Sequence, residues 1–340
     1  MTPPTTHAPG KGAIINDMTF ESAALEVLSG YDHVPRGALV HLGAHGGFSG
    51  AALWRIETTT GNFALKAWPA GWRSPADLAW IHGLLAKAAT HPWMPRVMAT
   101  KDGQTFVESN GRLWEILTWM PGAADFGKSP SPARLEAAAT ALAQLHQAWR
   151  PDGAPTEICP AALRRQATLH AWNELVQTGW RPTFVPLDPY RETAEKLLQL
   201  VQLKIDAMPM MLSAWLNRKL PVQPCVCDLW HDHLLFTGDN VTGIIDFGSA
   251  KVDHIAVDLA RLFGSLIGGD DAQWQIALAA YEKIRPLTLP EKLLARVLDR
   301  TGVLLAAANW LMWLYHENRV YADSAAVTAR LETLVRRLSA

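Results

Sequence analysis

Residues 227–236 of the 340-residue chain read Cys-Asp-Leu-Trp-His-Asp-His-Leu-Leu-Phe, and residues 244–248 read Ile-Ile-Asp-Phe-Gly. Between them, apolar runs of strand length flank a Gly-Asp-Asn turn at 238–240, a pattern that predicts an antiparallel hairpin. Asp228 precedes the first strand and Asp246 follows the second. The hairpin is therefore expected to bring both carboxylates to the same end.

Two carboxylates at one end of a hairpin suit the transfer of a phosphoryl group. Such a reaction needs one carboxylate to orient and deprotonate the accepting hydroxyl, and another to hold the magnesium that bridges the nucleotide phosphates. Asp228 and Asp246 can supply these two roles. The segment therefore predicts a phosphoryl-transfer site.

The motif region resembles the catalytic and metal loops of the aminoglycoside phosphotransferase and choline kinase-like branch of the protein-kinase-like superfamily. The family pattern is His-Gly-Asp-Leu-His-x-x-Asn, an apolar hairpin, Ile-Asp-Phe/Trp-Gly and then Asp-Leu-Ala. This chain has Val-Cys-Asp-Leu-Trp-His-Asp-His at 226–233, Ile-Asp-Phe-Gly at 245–248 and Asp-Leu-Ala at 258–260. The resemblance implies that Asp228 is the base, that Asp246 is the principal Mg²⁺ ligand, and that Asp258 braces the catalytic loop through backbone hydrogen bonds.

Among the departures from this pattern, Val226 replaces the first histidine and His233 replaces the metal-binding asparagine. Magnesium prefers oxygen ligands, whereas imidazole suits softer ions. Three interpretations of His233 stay open: a metal ligand, with Mn²⁺ as an alternative to Mg²⁺, a hydrogen-bonding partner of a phosphate, or a lost ligand in an inactive chain. We favour an active enzyme, then an enzyme with altered metal use, then a nucleotide-binding pseudokinase.

A glycine-rich loop at 42–50 precedes a strand that carries Lys66. Glycines let the backbone approach phosphates closely, so Gly46, Gly47 and Ser49 are candidates for binding ATP. A lysine within an apolar strand is unusual unless it is paired or faces a site. The resemblance implies that Lys66 contacts the α- and β-phosphates; the alternative is an edge-strand lysine on a solvated face.

The partner of a kinase lysine is normally a glutamate on the following helix. Here that helix is predicted over 74–89 with Ser74 as its cap, and it contains no glutamate. Asp77 is its only acid and suits the positive end of the helix dipole. We therefore interpret Asp77 as structural rather than catalytic.

The strand predicted over 113–120 runs out into Pro121 and Gly122. In the family, the connection between the lobes lies here, and adenine stacks against it and bonds its backbone. The resemblance therefore makes Thr118, Trp119 and Met120 candidates for nucleotide binding.

Composition and charge indicate which kinds of binding partner the chain can have. Lysine and arginine total 31 against 32 acids, which leaves no basic field for a nucleic-acid backbone and favours a small-molecule partner. Three cysteines make neither a disulfide framework nor a zinc site. Residues 1–11 have no apolar core, and the apolar segment 303–315 falls short of the roughly twenty residues that span a bilayer. We expect a cytoplasmic protein without membrane contact, and its oligomeric state is left open.

The chain after the hinge has helical periodicity. Helices are predicted from a cap at Ser131, over 160–178 and 188–217, and from about residue 258 to the end. The resemblance implies that late helices build the acceptor pocket. The candidates for its lining are Asp270, Asp271, Trp310, Trp313 and Tyr315, although tryptophan at helical spacing usually packs a core.

These patterns together predict an α+β, two-lobed protein-kinase-like fold. Residues 1–35 form a leader and short helix, 36–118 a mainly β N-lobe that binds the nucleotide, 119–122 the hinge, and 123–340 a helical C-lobe with a catalytic β-hairpin. The expected reaction moves the γ-phosphate of ATP, with Mg²⁺, to a hydroxyl of a small molecule: a sugar, an amino alcohol or an aminoglycoside-like compound. The rival function is a nucleotide-binding pseudokinase with a regulatory or binding role.

Overall fold

The computed structural model describes residues 17–32, 39–43, 50–59, 61–321 and 323–339. The chain divides into two compact units, Met1–Met120 and Pro121–Ala340, which we call the N-terminal and C-terminal units. Each unit has its own secondary structure and its own buried core.

The described part of the N-terminal unit contains a five-stranded antiparallel sheet and two helices. The strands are β1 (Val40–Gly43), β2 (Ala52–Thr58), β3 (Gly61–Ala67), β4 (Val107–Ser109) and β5 (Arg112–Thr118), in the order β1-β2-β3-β5-β4, and the helices are α1 (Asp17–Leu28) and α2 (Pro75–Lys87). The hairpin of β2 and β3 pairs Ala52 with Ala67 and Thr58 with Gly61. The predicted cap of α2 is confirmed, because the Ser74 side chain accepts from the N–H of Asp77.

The two faces of this sheet differ in character. One face packs against α1 in a cluster that includes Val27, Trp54, Leu65, Trp114 and Ile116. Side chains alternate along a strand, so Lys66 and its cross-strand neighbour Glu115 lie on the other face. Glu115 is buried there, and its Oε2 lies 2.7 Å from Nε2 of His82 on α2.

The C-terminal unit is mainly helical, with three pairs of short antiparallel strands. Its helices are α3 (Pro132–Trp149), α4 (Pro160–Gln177), α5 (Arg191–Lys204), α6 (Met208–Ser213), α7 (Ala256–Ile267), α8 (Asp271–Glu282), α9 (Leu289–Tyr315) and α10 (Ser324–Ser339). Its strands are β6 (Thr156–Ile158) with β7 (Lys219–Pro221), β8 (Gln223–Cys225) with β11 (Lys251–Asp253), and β9 (Leu234–Thr237) with β10 (Asn240–Ile244). The α+β class and the hairpin of β9 and β10 are confirmed.

The single helix predicted over 188–217 was wrong, because the segment is divided. Helix α5 ends at Lys204, a 3-10 turn covers Ile205–Ala207, and α6 follows. Pro209 lies in the first turn of α6. Proline has no N–H to donate and is tolerated only in the first turn of a helix, so the chain restarts a helix here.

The apolar segment 303–315 forms the second half of α9. This helix begins with a capping box in which the N–H of Thr288 donates to Glu291 Oε2 over 2.7 Å. Within the described parts of the chain, no helix combines the length and apolar character needed to cross a membrane.

Gly122 lies against the hairpin of β9 and β10. Its φ is +101°, a conformation open to glycine at little cost. An added Cβ would lie 2.4 Å from Thr242 Oγ1 and 2.7 Å from the carbonyl oxygen of Phe236. The positive φ and the lack of space for a Cβ therefore both require glycine at position 122.

His254 is a fully buried side chain in the loop after β11. Its Nδ1 accepts from the N–H of Ala256 over 3.0 Å, and its Nε2 lies 3.7 Å from Glu291 Oε1. Burial lowers the pKa of His254 to about 4, although Glu291 and Asp253 oppose the shift. The imidazole is therefore neutral at pH 7.

We expect Gly122→Ala to lower the free energy of unfolding by roughly 2–4 kcal/mol, because it adds backbone strain and a steric clash. The matched control is Gly127→Ala, since an added Cβ at Gly127 meets nothing within 4 Å. Urea denaturation of both variants measures the difference. Equal stability of the two variants would contradict the close approach at Gly122.

We expect stability to fall as pH is lowered from about 6.5 to about 4, because the unfolded chain binds a proton that buried His254 rejects. The contribution is up to about 3 kcal/mol, and His254→Asn should lose it. Unfolding free energies of the parent and variant across this pH range test the expectation, with exposed His170→Asn as control. The same pH dependence in parent and His254→Asn would refute it.

Candidate active site

The loop at 226–233, which we call the catalytic loop after the family pattern that it resembles, precedes β9 and is held by one buried carboxylate. Asp258, in the first turn of α7, accepts from the N–H of Val226 over 2.7 Å and from the N–H of Cys227 over 2.6 Å. His146 Nε2 lies 3.1 Å from the same carboxylate, and its Nδ1 lies 2.8 Å from the Tyr281 hydroxyl. The hydrogen bonds from Val226 and Cys227 confirm the bracing role expected of Asp258.

The protonation of His146 follows from its surroundings. Burial lowers the pKa of His146, although the Asp258 carboxylate opposes the shift. A neutral imidazole has one donor and one acceptor nitrogen. Its Nε2–H therefore donates to Asp258, and its Nδ1 accepts from the hydroxyl of Tyr281.

Asp228 follows this braced backbone directly. Its side chain is 43% exposed, and its Oδ1 accepts from Nε of Arg261 over 2.9 Å. Arg261 lies on α7, one turn after Asp258. The arginine therefore orients the carboxylate while leaving it accessible.

Cys227 is a feature that the sequence analysis missed. It occupies the position of glycine in the family pattern and has φ +64°, the left-handed conformation that costs a residue with a Cβ about 1–2 kcal/mol. The loop keeps this backbone because Asp258 binds the Cys227 N–H. The signal was available in the sequence, since cysteine stands where the quoted pattern has glycine.

His233 and Asp246 lie close to one another at the end of the hairpin. His233 Nε2 is 3.7 Å from Asp246 Oδ2, and Asp246 has φ +61°. Trp230 Nε1–H donates to His233 Nε2 over 3.0 Å, and His233 Nδ1 lies 2.9 Å from the backbone oxygen of Asp228. In the neutral imidazole, Nδ1 therefore carries the proton and Nε2 has the lone pair.

This pair of side chains can hold a divalent metal ion. The Asp246 carboxylate offers the oxygen that Mg²⁺ prefers. His233 Nε2 is near enough to join the same ion once the indole of Trp230 releases its lone pair. One carboxylate with one imidazole suits Mn²⁺ better than Mg²⁺. The carboxylate of the neighbouring Asp232 lies 3.3 Å from His231 Nε2.

Lys66 lies on β3 opposite Glu115, an acid that the sequence analysis also missed. Its Nζ is 3.7 Å from the ring centroid of Trp68. Trp68 Nε1 donates to Glu115 Oε1 over 2.9 Å, and His82 holds the other oxygen of Glu115. Glu115 is thus the buried acid directly opposite Lys66 in the sheet. A glutamate inside the apolar strand 113–120 was the available signal.

The structural interpretation of Asp77 is confirmed. Its Oδ2 accepts from the N–H of Ser74 over 3.0 Å and from the Ser74 hydroxyl over 2.7 Å. These hydrogen bonds lower the pKa of Asp77. The carboxylate therefore caps its own helix.

The hinge candidates differ in their available donors. The N–H of Thr118 donates to the Arg96 oxygen over 2.9 Å, and the N–H of Trp119 to the Asn62 oxygen over 3.0 Å. The N–H of Met120 makes no hydrogen bond to any residue that the structure describes. Met120 is therefore the strongest of the three as a backbone donor to a nucleotide.

The loop candidates Gly46, Gly47 and Ser49 lie outside the described residues. Their expected part in binding the phosphates stays a prediction from the sequence.

The five candidates on the late helices have other partners. Asp270 caps α8, Asp271 pairs with Arg296, and the Tyr315 hydroxyl donates to Asp188. Trp310 and Trp313 pack against each other with ring centroids 5.3 Å apart. None of the five lines the cavity of about 260 Å³ that helices α4, α7, α9 and α10 form beside the catalytic loop.

Comparison with known proteins identifies the family. The model of the phosphotransferase enzyme family matches residues 42–294. The homoserine kinase of Nitrobacter winogradskyi is 28% identical over 256 residues, which cover 73% of this chain and 72% of that protein. The homoserine kinase of Azorhizobium caulinodans is 30% identical over 268 residues, covering 75% and 76%.

Solved structures show the same fold. A spectinomycin phosphotransferase in complex with ADP and spectinomycin has a TM-score of 0.65 and 12% identity, covering 96% of this chain and 99% of its own. A microcompartment-associated aminopropanol kinase has a TM-score of 0.60 and 15% identity, covering 95% of both chains. With the family match over most of its length, the chain belongs to the phosphotransferase enzyme family and is an ATP-dependent small-molecule kinase with a protein-kinase-like fold.

Proposed function

We propose that Asp228 is the catalytic base and Asp246 the principal metal ligand in the transfer of the ATP γ-phosphate to a small-molecule hydroxyl. One observation carries this proposal: the hairpin of β9 and β10 gathers both aspartates around His233. That imidazole lies 2.9 Å from the backbone oxygen of Asp228 and 3.7 Å from Asp246 Oδ2.

The base acts through its free oxygen. Arg261 occupies Oδ1 of Asp228, so Oδ2 accepts the proton of the acceptor hydroxyl as its oxygen attacks the γ-phosphorus. The new oxygen–phosphorus bond forms while the bond to the bridging oxygen of ADP breaks. Arg261 is a positioning residue in this step, because it fixes the carboxylate.

Asp246 and His233 would hold the metal ion. When bound, the ion neutralises charge on the β- and γ-phosphates. The requirement for Mg²⁺ is part of this proposal, and the imidazole of His233 makes Mn²⁺ a competent alternative.

Residues of the N-terminal unit would bind the nucleotide. Lys66 is proposed to contact the α- and β-phosphates, with Glu115 in place of the helix glutamate of other kinases. The backbone of Gly46 and Gly47 with Ser49 would bind phosphate oxygens, and the N–H of Met120 would bind adenine. A cytoplasmic location is part of the same proposal, since ATP is the donor.

The names of similar proteins support a more specific class of phosphate acceptor. Homoserine and aminopropanol, named for two of them, are small molecules with both a hydroxyl and an amine. We propose an acceptor of this kind over a sugar or an aminoglycoside.

We expect Asp228→Asn to lower kcat by about 10²–10⁴-fold, because the amide cannot accept the hydroxyl proton. ATP affinity should be unchanged. Steady-state kinetics and calorimetry measure the two quantities, with Asp239→Asn in the turn of the same hairpin as control. Full turnover in Asp228→Asn would remove this residue from the base role.

We expect His233→Asn to lower the ratio of kcat/KM with Mn²⁺ to kcat/KM with Mg²⁺ by roughly 10–100-fold, because an amide oxygen replaces the imidazole nitrogen. Kinetics in each metal test this, with exposed His170→Asn as control. An unchanged ratio would exclude His233 as a ligand. Calorimetry of the parent with ATP should show weaker binding in EDTA, and equal affinity would count against Asp246 as well.

A further inference from the structure

The cavity beside the catalytic loop is rich in arginine; we call it the arginine cavity. Its charged lining comprises Arg165, Arg261, Arg330 and Arg337 with a single carboxylate, Asp299. The rest is mainly apolar or small, with Cys227, His231 and Ser265 at the end near the loop. These four guanidinium groups differ in the partners that they have within the protein.

Two of the four arginines have internal partners. Arg337 binds both carboxylate oxygens of Asp299, at 2.8 and 2.9 Å, and also the carbonyl of Gly264. Arg165 donates to the carbonyl oxygens of Ala161 and Leu298 over 3.2 and 3.0 Å. These two side chains therefore link neighbouring helices, and Asp299, the single carboxylate in the lining, is already paired with Arg337.

Arg261 and Arg330 are different. The Nε of Arg261 donates to Asp228, and its two terminal nitrogens donate to no residue that the structure describes. The guanidinium of Arg330 has neither a hydrogen bond nor an ion pair with any part of the chain that the structure describes. Both pack against Trp230, with Cζ 5.3 Å and 4.9 Å from the ring centroid.

The electrostatics of this pair favour an anion. Burial, with a further contribution from Arg261, lowers the pKa of Arg330 to about 10, although the carboxylates of Asp228 and Asp232 oppose the shift. Arg330 is therefore still charged at pH 7. Two neighbouring half-buried cations with unmet donors are costly. An anion between them would satisfy the donors and remove the repulsion.

Resting on the function proposed above, we propose that Arg261 and Arg330 bind a carboxylate of the acceptor, so that the substrate is a small hydroxy acid such as a hydroxy amino acid. The planar guanidinium fork matches a carboxylate in two parallel hydrogen bonds. Stacking on Trp230 holds both forks in place.

Position and size agree with this substrate class. Because Arg261 also binds Asp228, a carboxylate on its terminal nitrogens places the acceptor next to the base. The cavity of about 260 Å³ lies below the roughly 300–1,000 Å³ of pockets for drug-sized ligands. The cationic lining repels an aminoglycoside, which carries several positive charges, and gives an amino alcohol no counter-charge.

The test compares acceptors that differ by one group. Homoserine carries a carboxylate, 3-aminopropan-1-ol is the same molecule without it, and 4-hydroxybutyrate keeps the carboxylate but lacks the amine. We expect the parent to prefer homoserine, and Arg330→Met to lower the ratio of kcat/KM for homoserine to that for 3-aminopropan-1-ol by about 10–100-fold. Arg330→Lys should retain part of the preference.

The matched control is Arg336→Met, an exposed arginine on the same helix that does not line the cavity; it should leave the ratio unchanged. Thermal unfolding without ATP supplies a second measurement. Homoserine and 4-hydroxybutyrate should raise the Tm of the parent more than that of Arg330→Met, and 3-aminopropan-1-ol should not.

The outcomes separate this inference from the proposed function. Equal use of homoserine and 3-aminopropan-1-ol, or an unchanged ratio in Arg330→Met, would overturn the carboxylate site while leaving the kinase. Stabilisation by inorganic phosphate but by neither acid would also overturn it. Binding of homoserine lost in Arg330→Met, with no phosphoryl transfer to any acceptor, would uphold the site and reject the proposed function.

Discussion

The carboxylate of Asp258 is the constraint on which the catalytic loop depends. It is fully buried, and it accepts two backbone N–H groups of the loop together with the N–H of His146. A buried carboxylate without such partners would carry a large desolvation cost. The same bonds hold Cys227 in the left-handed conformation that sets the direction of Asp228.

Helix α7 holds the catalytic loop through three residues on one face. Asp258, Arg261 and Ser265 recur at helical spacing, so they lie on the same side of the helix. Asp258 binds the start of the loop, Arg261 the carboxylate of Asp228, and Ser265 Oγ the N–H of His231. One rigid element therefore positions both the backbone of the loop and the proposed base.

Arg261 on helix α7 contacts both the proposed base and the proposed acceptor site. Arg261 orients Asp228 with Nε and faces the arginine cavity with its terminal nitrogens. In the proposed complex, the group that recognises the acceptor is thus bonded to the group that deprotonates it. A single side chain could couple correct binding to correct orientation of the base.

Local sequence predicted what depends on neighbours in the chain. The turn at 238–240 specified the hairpin, the cap at Ser74 specified the start of α2, and the spacing of Asp228, Asp246 and Asp258 identified the family. Where the local signal was overlooked, as with the proline that divides 188–217, the prediction failed. These features form through contacts within a few residues, so sequence periodicity and turn chemistry report them directly.

Only the tertiary structure decided which distant side chains meet. Glu115 comes to the face of Lys66 through strand pairing, and Arg330 reaches Arg261 because α10 packs on α9 and α9 on α7. Neither of these two contacts produces a periodic pattern in the sequence, because each brings together residues that are far apart in the chain. The sequence alone determined that this is a phosphotransferase with two aspartates at a hairpin. Packing decided the surroundings of those aspartates, because burial and charge arise only when separate helices and strands come together.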